Sequence, residues 1–144
     1  MFSPAHSPAS GRLHPLASAY ARVAVETNVN SASPHRLIAL LFDGFVEAVQ
    51  LARAALQTGQ IEQKGAAIQR AARILEEGLK AGLNLEEGGS LADDLQALYG
   101  YTVVRLVYAN LHNDDAALQE CHRLIQPLRE AWASIGPQVE TARS

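Results

Sequence analysis

Cysteine is almost missing from this chain of 144 residues: Cys121 stands alone. One thiol rules out an intrachain disulfide and fits a reducing cytoplasm. Aromatic residues are sparse, at 6%. No basic cluster is present. Arg70, Arg73, Lys80, Arg105, Arg123 and Arg129 fall singly along the chain, and the net charge is −3, so nucleic acid is a poor candidate as main ligand. Residues 1–13 hold no apolar run of the kind a secretory signal needs. No segment is long and apolar enough for membrane insertion. Val, Ile and Thr nowhere alternate with polar residues over a strand length, which argues against β-structure. Neither a Gly-rich phosphate loop nor a Ser/His/Asp arrangement can be found. Glu-x-x-His pairs, the usual metal ligands of helical bundles, do not occur. His35, His112 and His122 have no carboxylate at ligand spacing, so no cofactor or metal is expected and no enzyme activity.

What is present is Ala, Leu, Gln, Glu and Arg in abundance, within a chain that is 48% apolar. That composition favours helices and is enough for one domain with a core. Residues 1–18, rich in Ser, Pro, Ala and His, are expected to be a disordered leader. The domain is expected over 19–136, with a short tail over 137–144. Residues 16–29, which span the leader's end and the start of the domain, are mildly apolar but too short and irregular to hold a helix alone. They read as a segment lying on the domain, or as a detachable cover for an apolar groove.

Helix punctuation is clear. Ser33-Pro34 sets an N-cap and a first-turn proline, and a first helix is predicted from there to about Leu56. Thr58-Gly59-Gln60 is a turn. A second helix is predicted from Ile61 or Gly65 to Leu83. Residues 84–90 are predicted as a loop, with Ser90 capping a third helix and Asp93 and Asp94 in its first turn. His112-Asn113-Asp114 separates it from a fourth, predicted from Asp114 to Ile135. Pro127 is expected to kink that helix, and Gly136-Pro137 to stop it. Four helices with short loops give an all-α, antiparallel four-helix bundle with a flexible N-terminal segment.

The four patterns are unequal. Ile68, Ala71, Ala72, Leu75 and Leu79 form a narrow stripe on the second helix, as do Leu118, Cys121, Leu124, Ile125, Leu128, Trp132 and Ile135 on the fourth. Cys121 thus reads as a small core residue. The first helix has an apolar arc of roughly 200° at the 3.6-residue period. Leu37, Leu40, Leu41, Gly44, Ala48, Leu51 and Ala52 take one part, and Ile38, Phe42, Phe45 and Val49 extend it. The third carries a core stripe of Leu95, Leu98, Tyr99, Thr102, Leu106 and Ala109. Val103, Val104, Val107, Tyr101 and Tyr108 lie mostly on its other side. These two helices have apolar surface to spare, which another helix, the chain's own N-terminal segment or a partner must cover.

The residues also resemble the FliS family, cytoplasmic flagellin chaperones of flagellated bacteria. The similarity runs from about Tyr20 to Trp132. Its first block is Ala19-Tyr20-Ala21, Val25-Glu26, Ser31-Ala32-Ser33-Pro34 and Leu40-Leu41-Phe42-Asp43-Gly44. The second is Lys64-Gly65, Ala71, Ile74-Leu75-Glu76 and Gly78-Leu79. The third is Leu95, Ala97-Leu98-Tyr99, Arg105-Leu106, Ala109-Asn110 and Asn113-Asp114, and the last Leu128 with Ala131-Trp132. Each block is weak alone; four in order at matching separations are specific. The Pro/His-rich leader before Leu16 and Pro127 depart from the family pattern.

The resemblance implies an antiparallel bundle that binds the C-terminal segment of flagellin, keeps it from polymerising, and meets the export gate of the flagellar secretion apparatus. It also implies an N-terminal segment, containing the matching Tyr20, that covers apolar surface in the free protein and yields to flagellin. The nominated partner contacts are Tyr20 and Val23 on the cover, Ile38, Phe42, Phe45 and Val49 on the first helix, and Tyr101, Val103, Val104, Val107 and Tyr108 on the third, and of these Tyr20 alone is singled out by both pattern and resemblance. Core packing is the competing reading for Ile38, Phe45 and Tyr101, and Trp132 reads as core. The rival functions are a self-associating bundle whose spare faces meet in a homodimer, and a bundle enzyme or metal carrier.

Overall fold

The computed structural model describes residues 16–20 and 33–136. Four helices follow residue 33: α1 (Pro34–Gln57), α2 (Ile61–Arg73), α3 (Leu85–His112) and α4 (Asp115–Ser134). A wider π-helical turn, Ile74–Lys80, prolongs α2. The described residues contain no strand.

Local chemistry sets the ends. Ser33 is extended, and its Oγ accepts the Arg36 N–H at 3.1 Å, which satisfies a donor the first turn cannot pair itself. Gly59 at φ 73° turns the chain after α1. Asp114 Oδ1 accepts the N–H groups of Ala116 and Ala117 at the start of α4. Asn113, left-handed at φ 50°, ends α3. The start of α3 differs from the expected loop. Asn84 is its cap, accepting from Glu86 and Glu87, and a helical turn forms before Gly89 at φ 57° kinks the chain. In α4, Pro127 sits within the helix at an exposed position.

Cross-links fix the topology. Arg53 reaches Asp115, and Arg129 reaches Asp43, so α1 and α4 run antiparallel. Arg70 pairs with Glu47 across α2 and α1. Cys121 faces Thr102 across α4 and α3. Lys64 on α2 donates to the Asn110 carbonyl at 2.9 Å and to Asn113 Oδ1, tying the start of α2 to the end of α3. Each helix thus touches two antiparallel neighbours, and α1 and α3 lie diagonally.

The core is filled by Phe42, Phe45, Ile38 and Val49 of α1, Leu75 and Leu79 of the α2 extension, Tyr99 and Leu106 of α3, and Leu118, Cys121, Ile125 and Trp132 of α4. Burial pushes the Cys121 thiol up to about 12, so it packs as a small neutral residue. Leu16, Ala19 and Tyr20 belong to the same core. The short helical turn over 16–19 therefore crosses the expected leader boundary at residue 18.

Candidate partner-binding surface

The α3 nominees divide cleanly from those on α1. Tyr101, Val104, Val107 and Tyr108 are exposed, Val104 by 64%. Val103 is half-buried and packs on the core edge. At 100° per residue, Tyr101, Val104, Tyr108 and Leu111 form one stripe, with Val107 beside it. Leu111, 75% exposed, was not nominated. Its signal was its place seven residues beyond Val104 on the same face. Ala97 and Gly100 extend the stripe toward the helix start, giving about 21 Å of apolar surface at 1.5 Å per residue.

A polar rim holds the two rings of this stripe. Glu120 on α4 accepts the Tyr101 hydroxyl at 2.6 Å and Arg105 Nε at 2.7 Å. The Arg105 guanidinium lies 4.6 Å from the Tyr108 ring centre, a cation–π distance, and the Tyr108 ring lies 4.2 Å from that of His112. The Tyr101 and Arg105 hydrogen bonds hold the Glu120 carboxyl below the usual carboxylate range, while Glu120 raises the Tyr101 phenol. These tethers limit the motion of both rings.

The α1 nominees lie inside the bundle. Ile38, Phe42, Phe45 and Val49 are all buried and can offer a partner nothing while the bundle is closed. The spare surface of α1 is the other half of its apolar arc: Leu40 and Leu51 are exposed, and Leu37, Leu41 and Gly44 are half-buried. Rotation of α1 about its axis sets this division, with Phe42 and Phe45 turned into the core. Between α1 and α2, Leu51, Ala54, Ala55, Ala66, Ala67 and Arg70 help line an open cleft of about 590 Å³.

Tyr20 is buried, with its ring edge-on to Trp132 at 5.5 Å. Its hydroxyl lies 2.6 Å from that of Tyr99 and donates to the Leu79 carbonyl at 3.2 Å. Burial raises the Tyr20 and Tyr99 phenols above their ordinary value, so both stay neutral. Val23 lies outside the described residues. Trp132 is buried, as expected. Among the described residues, no three of His, Cys, Asp or Glu converge as a metal site would require, and no helix is long and apolar enough to cross a membrane.

The molecule is thus a small helical bundle that displays an apolar helix face and holds a short N-terminal turn in its core. Comparison with known proteins makes the assignment specific. The family model described as "Flagellar protein FliS" matches residues 16–139. The flagellar secretion chaperone FliS of Salmonella typhimurium is 46% identical over 126 residues, covering 88% of this chain and 93% of that protein. The chaperone FliSB of Pseudomonas aeruginosa is 41% identical, covering 81% and 91%. FliS of Escherichia coli is 40% identical, covering 79% and 84%. The chain belongs to the FliS family of flagellar secretion chaperones.

Proposed function

We propose that this protein binds the C-terminal segment of flagellin in the cytoplasm, prevents its premature polymerisation and delivers it to the export gate of the flagellar secretion apparatus. The observation that carries this reading is the exposed stripe of Tyr101, Val104, Val107, Tyr108 and Leu111 on α3. Flagellin assembles by packing amphipathic terminal helices together. A chaperone for such helices must offer a substitute apolar surface, the helix-in-groove mode of recognition. Fully burying one aliphatic or aromatic side chain contributes about 1.5–3 kcal/mol. These five are partly covered already, so about 5 kcal/mol is available from this stripe before ordering costs.

A second feature bears on how the partner is arranged. The spare apolar surfaces lie on α1 and α3, which are diagonal in the bundle. One straight helix cannot cover both, whereas an extended segment of several short helices can wrap around to reach them. That is the form of partner this reading requires.

The test is calorimetric titration of the protein with a flagellin C-terminal fragment, followed by circular dichroism. Heat of binding and a gain of helix are expected, as is loss of binding when the fragment's last helices are removed. Absence of both signals would overturn the reading. A dimer whose mass persists on dilution, with no affinity for flagellin, would replace it with the self-associating bundle.

A further inference from the structure

The apolar stripe on α3 is bordered by unlike charges along its length. Near its start stand Asp93 and Asp94, both exposed. Asp93 lies on the line of the stripe, four residues before Ala97. Farther along, the side of the stripe that faces α4 carries two guanidiniums, Arg105 of α3 and Arg123 of α4, and both act on the same carboxylate, that of Glu120. About 18 Å of helix separates Asp93 from Arg105 at 1.5 Å per residue. That exceeds the screening length of about 8 Å at physiological salt, so a partner feels each end separately.

Glu120 does not neutralise this edge. Its Oε2 accepts the Tyr101 hydroxyl, and its Oε1 accepts Nε–H of Arg105. The Arg105 bond uses one of five guanidinium N–H groups. The two terminal amino groups of Arg105 have no hydrogen-bond partner among the described residues, and the guanidinium lies over the exposed Tyr108 ring. Arg123 is exposed and makes no ion pair among the described residues. It follows Glu120 by three residues, on the same side of α4. Arg105 meets Glu120 and Thr102 meets Cys121, so α3 and α4 run antiparallel and Arg123 stands level with Tyr101. Two guanidiniums thus share one carboxylate, and the edge beside Tyr101 and Tyr108 keeps a net positive charge.

We propose that Arg105 and Arg123 are specificity-determining residues of the α3 surface, and that the helix docked on the stripe carries acidic residues along the edge that faces α4. The inference rests on the reading that a partner helix docks on this stripe, and it adds which helices are accepted. Val104, Tyr108 and Leu111 hold an amphipathic helix of any charge, and the guanidinium edge chooses among them. A helix with lysines on that edge would set like charges against Arg105 and Arg123. The chain as a whole carries a net charge of −3, so diffuse attraction alone favours a basic helix. The local edge favours an acidic one, and the opposite signs make the two effects separable.

The test uses the full chain and two fluorescein-labelled synthetic peptides of about 18 residues, long enough as helices to cover the stripe. Both carry a leucine seam at helical spacing, with glutamine elsewhere. One has glutamates flanking the seam on both sides, so either direction of docking brings them to α4. The other has lysines at those positions. Fluorescence anisotropy at low salt should show the glutamate peptide binding about fivefold tighter. Arg123→Glu should abolish or reverse that preference. Arg73→Glu makes the same charge change at an exposed position of α2 on its α1 side, and should leave the preference intact. Equal affinities, a preference for lysine, no binding of either peptide, or the same response from both variants would overturn the proposal. Neither peptide derives from flagellin. A failed flagellin titration therefore removes that partner, whereas equal peptide affinities remove the charge selection and leave the flagellin reading standing.

Discussion

His35 and Trp132 exchange two hydrogen bonds. The indole Nε1–H donates to the His35 carbonyl, and the His35 Nε2–H donates to the Trp132 carbonyl, each at 2.9 Å. A carbonyl can only accept, so the second bond fixes the proton on Nε2. The two rings stack at 5.0 Å. The first turn of α1 is thereby joined to the last turn of α4, and the Trp132 ring also forms a wall against which Tyr20 packs, T-shaped at 5.5 Å.

Trp132→Ala removes that wall and both ring contacts. Truncating a buried aromatic side chain costs about 3–5 kcal/mol. For a chain of this size the melting temperature should fall by about 10–20 °C. Thermal denaturation followed by circular dichroism measures this directly. A change below about 3 °C would mean that the α1–α4 junction contributes little to stability.

The α3 stripe and the α1 core should separate under mutation. Val107→Asp places a charge on a half-exposed position, with little effect on folding expected. The melting temperature should stay within about 2 °C, because surface changes usually lie within about 0.5 kcal/mol, while flagellin binding weakens more than tenfold. Phe42→Ala should do the reverse, losing about 3–5 kcal/mol of stability through a buried cavity. Calorimetry and melting on both variants decide this. A large melting loss for Val107→Asp would place that residue in the core.

Helix starts at Ser33 and Asp114 were legible because side-chain capping is local chemistry. The rotation of α1 is not legible in the sequence, since two halves of an apolar arc of about 200° look equally fit for the interior. A usable signal existed: Arg36, Asp43, Glu47 and Gln50 occupy one polar arc, and Phe45 and Ala52 lie opposite it on the helical wheel. The α3 stripe was legible because a core face and a second apolar face coexist there around a single charge, Arg105. The seat of Tyr20 was not legible, because it joins the Leu79 carbonyl of the wide turn to the Tyr99 hydroxyl of α3, a meeting of distant segments that no residue pattern marks.

Lys64 offers a different test. It is 3% exposed, yet among the described residues its ammonium meets only neutral oxygens, the Asn110 carbonyl and Asn113 Oδ1. Both acceptors lie at the end of α3, where the helix dipole favours positive charge. Lys64→Met keeps the aliphatic stem and removes the donor. A loss of about 1.5–3 kcal/mol is expected, the range for hydrogen bonds to charged groups, with faster amide exchange at the C-terminal end of α3. A variant as stable as the parent would show that the buried charge is not needed there.

Acid should weaken the α1–α4 seam first. Arg53 donates from both nitrogens to the two oxygens of Asp115, at 2.8 and 3.1 Å. Those bonds hold the Asp115 carboxyl below its ordinary value in the folded chain. The unfolded chain keeps the ordinary value near 3.9. Above about pH 5 both states are ionised, and the pair contributes in full. As pH falls through about 4, the unfolded chain takes up a proton that the folded chain still refuses, so stability declines. Glu120, held low by Tyr101 and Arg105, acts in the same direction. Both sites are partly open to solvent, which screens the pairs and keeps the effect modest. Asp115→Asn should be less stable than the parent at pH 7, and its loss of stability between pH 5 and pH 3 should be smaller. Melting temperatures of the two chains across that range measure the difference. Parallel curves would show that the Arg53–Asp115 pair does not contribute to acid sensitivity.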